Sequence, residues 1–138
     1  MKFLCTVTFL LSLASVAFAH EESILARVTS YWTGEGSNYA STGQRLRAGH
    51  CAVDPNRIPY GSKIVFADGV CTAVDTGPAV VNRKAARRCG RTASQLNAIV
   101  VDRFFETKRE AMAWTNAHPE FITLQIVPPG SHQDLTAP

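Results

Sequence analysis

The sequence has little net charge, and no apolar run beyond its first 20 residues is long enough to span a membrane. The formal net charge of the whole chain is only +3, and so weak a balance does not indicate a nucleic-acid partner. Internal repeats, low-complexity tracts and long linkers are also absent. These absences argue against disordered, collagen-like and multi-spanning membrane proteins, and they predict one compact soluble monomer.

The long apolar run at the N-terminus predicts a secretory signal peptide. Lys2 precedes an uncharged run over residues 3–18 that ends in the small residues of an A-x-A cleavage site. Acidic residues follow too soon, and the run is too short, for a convincing membrane span. We therefore predict a signal peptide over residues 1–19, a mature chain that begins at His20, and a secreted or periplasmic location.

The mature sequence lacks the closely spaced side chains that usually bind metal ions. Its three cysteines, Cys51, Cys71 and Cys89, form no C-x-x-C pair, so a zinc site is not expected. The closely spaced oxygen ligands of a calcium loop are absent as well. We predict no metal and no cofactor, and an odd number of thiols allows at most one internal disulfide.

Short strand-like runs bounded by turn residues dominate what remains. The first covers residues 24–32, and a Gly-, Ser- and Thr-rich stretch over residues 33–49 then predicts a long functional loop. Many short strands at close spacing favour a barrel or sandwich, and the tail over residues 128–138 is expected to be flexible. The further strand-like runs are residues 51–53, 63–66, 70–74, 79–81, 98–101 and 121–127.

Helix signals occur at three places. Asn82 can cap a basic segment that Gly90 ends. The S/T-x-x-E/Q spacing of a capping box begins at Thr92 and again at Thr107, and the second of these predicts a helix through Ala117.

Three aspartates stand at equivalent places in the pattern. Asp54, Asp75 and Asp102 each follow an apolar strand-like run and precede a turn or a rigid element. One such residue is most simply an ordinary turn residue. Three of them predict a shared site if the strands are neighbours, and mutual repulsion with partial burial would there raise at least one pKa.

These segments resemble the three-aspartate (3D) domain, a family that includes the catalytic region of the membrane-bound lytic transglycosylase A family and small secreted relatives. The resemblance covers about residues 28–106 and implies a mainly β, six-stranded double-psi β-barrel over residues 20–127. It also implies two or three short helices, one in an insert between the second and third Asp motifs and one after the third. The matching segments are AVDP at residues 52–55, IPYG at 58–61, AVDTG at 73–77 and VDRFF at 101–105.

The resemblance implies lytic cleavage of peptidoglycan with a 1,6-anhydro product, which needs one carboxylic acid that gives up a proton and later takes one back. By motif position that acid is Asp102. Asp54 and Asp75 would hold it by hydrogen bonds and raise its pKa through their charge. Thr42 and Thr76 are candidate substrate or network hydroxyls.

Two other functions remain open. A secreted barrel of this type can bind glycan without cutting it, as expansin-like proteins do, and Tyr31 with Trp32 would then be a stacking platform. Asp75-Thr76-Gly77 is also the triplet of aspartic proteases, although the other two Asp motifs have no place in such an enzyme.

The segment between Asp75 and Asp102 is longer than the family's usual crossing. Residues 82–97 within it carry five basic side chains, at Arg83, Lys84, Arg87, Arg88 and Arg91. They form either a solvated basic face or a contact for an anionic polymer.

The cysteine pairing depends on which strand ends meet. Cys51 and Cys71 precede Asp54 and Asp75 closely, so they are the expected disulfide if those strand ends share the site. A Cys71–Cys89 pair is the alternative.

Overall fold

Six strands of the chain pair edge to edge into a closed barrel, as a computed structural model that describes residues 22–131 shows. The strand order around the barrel is β1-β5-β2-β4-β3-β6. The predicted signal peptide and residues 132–138 of the predicted flexible tail lie outside the described residues. The strands are β1 Glu22–Trp32, β2 His50–Ala52, β3 Lys63–Phe66, β4 Gly69–Asp75, β5 Ile99–Phe105 and β6 Phe121–Val127.

The mainly β, six-stranded barrel expected from the sequence is confirmed. Two strand pairs are parallel, β1 with β5 and β2 with β4, and both join segments distant in sequence. The other four neighbouring pairs are antiparallel. Strand β2 lies between β4, its parallel neighbour that ends in Asp75, and β5, its antiparallel neighbour that contains Asp102.

Four short helices, rather than two or three, occur among the described residues: α1 Pro78–Val81, α2 Lys84–Cys89, α3 Ala93–Asn97 and α4 Lys108–Ala117. The strand predicted over residues 79–81 is wrong, because this segment is α1. Pro78 stands in the first turn of α1, where its fixed φ favours a helix start.

The predicted Asn82 cap is not formed, and the basic segment begins instead with a residue in a left-handed backbone conformation. Asn82 ends α1, and Arg83 precedes α2 in the left-handed region with φ 51° and no side-chain cap. Gly90 ends α2. A Cβ at Gly90 would lie 2.8 Å from both the Ala86 carbonyl oxygen and the Leu96 amide nitrogen, so the close packing of α2 and α3 requires glycine there.

Strand β5 is buried on both faces, which sets the direction of its polar side chains. Ile99 and Val101 pack in the barrel interior, whereas Val100 packs outside it against Val80 and Ala86 of the insert helices. Because side chains alternate along a strand, Asp102 belongs to the outer face with Val100.

Arg103 belongs to the inner face and anchors the same strand. Its guanidinium donates to Asp68 at 2.9 Å and lies over the rings of Phe66 and Trp114, at 4.7 and 5.0 Å from their centroids. Trp114 also donates to Asp68 at 3.0 Å. These contacts hold α4 against the barrel and fix the strand position that precedes Arg103, which is Asp102.

The predicted Cys51–Cys71 disulfide is not formed, since Cys51, Cys71 and Cys89 are all free thiols. The register explains why. Cys51 lies opposite Ala73, so Cys71 is two positions away on the neighbouring strand, a diagonal of roughly 8 Å between the two α-carbons. A disulfide normally needs less than about 7 Å.

The loop between β1 and β2 packs along the outside of the barrel. Ala40 and Leu46 are buried against Val74 and Phe104, with Tyr31 beside them. This small cluster fixes the middle of the loop. No helix among residues 22–131 has the length and apolar character needed to cross a bilayer.

Candidate active site

Asp75 and Asp102 come together across strand β2. Ala52 is the register partner of Asp102 on one side and of Asp75 on the other. Both carboxylates therefore flank one small residue, on the outer face of the barrel, and both line a cavity of about 490 Å³. The remaining lining residues are Thr29, Ser30, Tyr31, Glu35, Gly36, Ser37, Tyr39, Thr76 and Ala79.

Asp102 is the carboxyl group most altered by this environment. Burial raises its pKa to about 6, and the nearby charges of Glu35 and Asp75 add to the increase. Thr29, its register partner on β1, donates a hydrogen bond to Oδ1 at 2.9 Å and opposes the increase. Asp102 thus stays partly protonated at a pH where an ordinary aspartate has lost its proton.

Asp75 is held as a hydrogen-bond acceptor by three donors. Its Oδ1 accepts from the backbone amides of Ser41 at 2.7 Å and Thr76 at 2.9 Å. Its Oδ2 accepts from the Tyr31 hydroxyl at 3.1 Å. The carboxylate therefore links strand β1, strand β4 and the long loop, and it has a fixed orientation beside Asp102.

Tyr31 has a structural place in this network. Burial and the neighbouring Asp75 raise the pKa of its hydroxyl, which remains a donor. The ring packs edge-on against Phe104 with centroids 5.2 Å apart. Trp32 is half-buried, with the Lys108 ammonium 5.7 Å from its ring centroid. The two rings predicted as a possible stacking platform are thus both engaged within the protein.

The two predicted threonines differ in what their hydroxyls contact. Thr42 donates to the Val74 carbonyl at 2.7 Å and fastens the loop to β4. Thr76 lines the cavity, and its buried hydroxyl has no hydrogen-bond partner among the described residues. The Thr76 hydroxyl thus has no hydrogen bond within the described residues, whereas that of Thr42 is already used.

Asp54 lies outside the cavity. Its Oδ1 accepts from the Asn56 amide at 3.0 Å, and its carbonyl accepts from the amides of Arg57 and Ile58. These hydrogen bonds are typical of a turn, in which an Asp carboxylate accepts from a backbone amide two residues further along the chain. The expected hydrogen bonding of Asp54 to Asp102 is not present, because the chain leaves the sheet after Ala52 and turns at Pro55.

Sequence reasoning missed two residues that act on Asp102. Glu35 lies on the loop that lines the cavity, and Thr29 lies on the neighbouring strand. The composition of the loop predicted a functional segment but did not single out Glu35. The signal for Thr29 is the register of β1 with β5, which a single sequence does not reveal.

The described part of the chain contains no group of three or more His, Cys, Asp or Glu side chains placed to hold a metal ion. The basic side chains of α2 do not line the cavity; the insert reaches it through Ala79 alone. What the arrangement offers chemically is one carboxyl group able to exchange a proton near neutral pH, beside a fixed acceptor and an unpartnered hydroxyl.

Comparison with models of known protein families gives no match to this chain. A search of curated proteins also gives no match. The resemblance to the three-aspartate domain therefore depends on the sequence motifs.

Proposed function

We propose that this protein is a secreted enzyme that cleaves cell-wall glycan, as a peptidoglycan lytic transglycosylase of the three-aspartate type. The observation that carries the proposal is Asp102, a buried carboxyl whose pKa is raised to about 6 and which lines an open cavity. General acids of this kind are made by burial and by a neighbouring negative charge. The three motifs that led to the family supply the substrate class.

In this mechanism Asp102 first donates its proton to the oxygen of the glycosidic bond after the muramic acid residue. That bond breaks, and the C6 hydroxyl of the same muramic acid attacks its anomeric carbon to close a 1,6-anhydro ring. The hydroxyl proton returns to Asp102, so the enzyme ends as it began. No water is consumed, and no second carboxylate is needed to activate one.

The other groups of the cavity have supporting roles in the proposal. Asp75, fixed by Tyr31 and by two backbone amides, keeps a negative charge close to Asp102. Thr29 orients the acid through its 2.9 Å hydrogen bond. Thr76 lines the cavity with a buried, unpartnered hydroxyl, which would bond to the sugar after rotation of its side chain. Asp54 has no role in the chemistry and serves the turn after β2.

A double-psi arrangement of the barrel is part of the proposal. The closed six-stranded order and the two long-range parallel pairs support it. The predicted signal peptide supports a secreted or periplasmic location, where the proposed partner, the peptidoglycan strand, is found.

The proposal is tested by incubating the chain from His20 onward with purified bacterial sacculi. Released muropeptides are identified by mass spectrometry. We expect 1,6-anhydro products from the native chain and at least a hundredfold slower release from Asp102→Asn, because loss of a general acid typically costs about 10² to 10⁴ in rate. Asp54→Asn is the matched control and is expected to keep most of the activity.

Two outcomes would overturn the proposal. Release that survives Asp102→Asn would remove Asp102 from the chemistry. Binding of sacculi with no released product would favour the non-catalytic, expansin-like alternative. Tyr31→Phe keeps the aromatic ring and removes the hydrogen bond to Asp75. A protein that only binds glycan by stacking would bind sacculi as before, whereas the proposed enzyme would release muropeptides more slowly.

A further inference from the structure

A second cavity is lined by a later part of the loop that also lines the first. Its volume is about 420 Å³, and it is lined by Gln44, Arg45, Leu46, Arg47, His50 and Glu106. Glu35, Gly36, Ser37 and Tyr39 of the loop line the first cavity, and residues 44–47 line the second. Buried Leu46 holds this part of the loop against the barrel.

Neither arginine of this cavity forms an ion pair with another of the residues 22–131. The ion pairs within residues 22–131 join Arg27 to Glu120 and Arg103 to Asp68, and neither involves Arg45 or Arg47. Glu106 is the acidic residue of the cavity lining, and one of its oxygens accepts from the Ala48 amide at 2.9 Å. Two guanidinium groups and one carboxylate leave the lining with an excess of positive charge.

His50 indicates, independently of the positive charge, that the cavity binds a ligand. Its side chain lines the cavity, yet it is only 5% exposed, and its Nδ1 is buried without a hydrogen-bond partner among the described residues. Buried polar atoms are nearly always paired. Burial, followed by the charges of Arg47 and Lys63, lowers the pKa of His50 against the opposing charge of Glu106, and a neutral imidazole offers one N–H donor.

The position of His50 relates this cavity to Asp102. His50 lies two residues before Ala52 on β2, and Ala52 is the residue flanked by Asp75 and Asp102. Two residues along a strand correspond to about 7 Å. The outer face of the barrel between these positions is covered by the loop, whose Ala40 and Leu46 pack on Val74 and Phe104. A peptide attached to a sugar at Asp102 would therefore reach the second cavity by extending over this loop.

From these observations we infer that the cavity of Arg45, Arg47 and His50 binds a carboxylate of the peptide attached to the glycan whose backbone occupies the Asp102 cavity. This inference depends on the proposed function for the identity of the polymer. Guanidinium groups bind carboxylates through paired, charge-assisted hydrogen bonds, and the imidazole N–H adds a third donor. The enzyme thereby selects glycan that carries acidic peptides.

The experiment measures binding, not cleavage, and uses the chain from His20 onward with Asp102→Asn. The probes are a soluble disaccharide-peptide fragment of peptidoglycan and the same fragment with its carboxylates converted to primary amides. Calorimetry gives the dissociation constants, and the NMR signals of the His50 imidazole report occupancy of the cavity without any substitution in it. Inorganic phosphate is tested in parallel.

We expect amidation of the fragment to weaken binding about tenfold or more, and the acidic fragment alone to shift the His50 signals. Arg45→Gln/Arg47→Gln is expected to weaken binding of the acidic fragment to a similar extent and to leave the amidated fragment unaffected. The matched control, Arg87→Gln/Arg88→Gln in the basic helix, removes the same charge and is expected to bind as the parent does.

Equal affinity for both fragments, or an equal loss in the control variant, would overturn the inference. Tighter binding of phosphate than of the acidic fragment would overturn the choice of carboxylate. The proposed function is tested separately, and it fails if the native chain releases no muropeptides from sacculi. Discrimination between the fragments supports the carboxylate site even in that case.

Discussion

At the scale of single residues, the pKa of Asp102 is set by three neighbours with opposing effects. Burial raises it most, the Thr29 hydrogen bond lowers it, and the charges of Glu35 and Asp75 raise it further. Each contribution comes from a different element, so each can be altered separately. Asp102 is consequently a carboxyl group whose proton affinity can be adjusted without changing its own side chain.

Glu35→Gln removes one of the negative charges beside Asp102. The pKa of Asp102 is then expected to fall, since the ionised form loses a repulsive neighbour. Because the protonated form is the proposed acid, the alkaline limb of the pH–activity profile moves to lower pH. The profile of muropeptide release measures this, with Glu22→Gln as the matched control, since Glu22 is exposed at the start of β1 and lines neither cavity. An unchanged alkaline limb in Glu35→Gln would contradict the role given to this charge.

Asp102→Asn is also expected to stabilise the fold at alkaline pH. The pKa of Asp102 is raised from 3.8 to about 6 on folding, so the stability associated with its protonated form is present below about pH 4 and lost as the pH rises through 6. Asparagine has no charge to bury. The gain is on the order of 1–3 kcal/mol at pH 8 and nearly absent at pH 3.5.

Urea unfolding of the native chain and of Asp102→Asn at the two pH values measures this difference. Asp54→Asn serves as the comparison, since Asp54 lies in a turn outside the cavity. A gain that is the same at both pH values would show that the effect does not come from ionisation of Asp102.

At the scale of elements, the loop between β1 and β2 and the insert helices form the surroundings of the cavity. The loop is fixed at its centre by Ala40 and Leu46 and at one end of the cavity by the Ser41 amide on Asp75. The insert packs on the outer face of β5 through Val80 and Ala86. The barrel thus presents Asp102, while these two segments determine how deeply it is buried.

Gly90→Ala is expected to disrupt the insert. The new Cβ would lie 2.8 Å from backbone atoms of both Ala86 and Leu96, and neither backbone can move independently of its helix. We expect a loss of about 1–3 kcal/mol in the free energy of unfolding. Gly36→Ala is the matched control, because a Cβ there meets nothing within 4 Å. Equal stability of the two variants would contradict the close packing of α2 and α3.

At the scale of the whole molecule, the parts of the fold that depend on local pattern could be predicted from the sequence. Strands β3 and β6 occupy the ranges predicted for them, residues 63–66 and 121–127. The capping box at Thr107, from which the start of α4 was predicted, is present. The strand predicted after Pro78 was wrong, because a short apolar run with β-branched residues is compatible with either a strand or a helix.

The parts that depend on register between distant strands could not be predicted. Asp75 and Asp102 line the same cavity, but Asp54 does not. Strand β2 ends at Ala52, Val53 still donates to the Asp75 carbonyl, and the chain then turns at Pro55. The absent Cys51–Cys71 disulfide also depends on register, because Cys51 pairs with Ala73, two residues beyond Cys71. Neither detail is encoded in local composition.

The thiols supply a prediction for the whole molecule. In the chain from His20 onward, folded protein is expected to react with an alkylating reagent at Cys89 alone, since Cys51 and Cys71 are buried in the barrel interior. Unfolding without reductant is expected to give three alkylated residues. Intact mass measures both. Only one alkylated residue after unfolding, with a mass lower by two hydrogens, would indicate a disulfide.

The central claim is that the cavity uses one carboxyl group, Asp102, to cleave glycan without water. The most direct measurement is digestion of sacculi in water enriched in oxygen-18, followed by mass spectrometry of the new glycan ends. The predicted result is 1,6-anhydro ends that contain no oxygen-18, at a rate that falls at least a hundredfold in Asp102→Asn. Reducing ends labelled with oxygen-18 would contradict the claim, because they would show hydrolysis, for which Glu35 would be the second carboxylate beside Asp102.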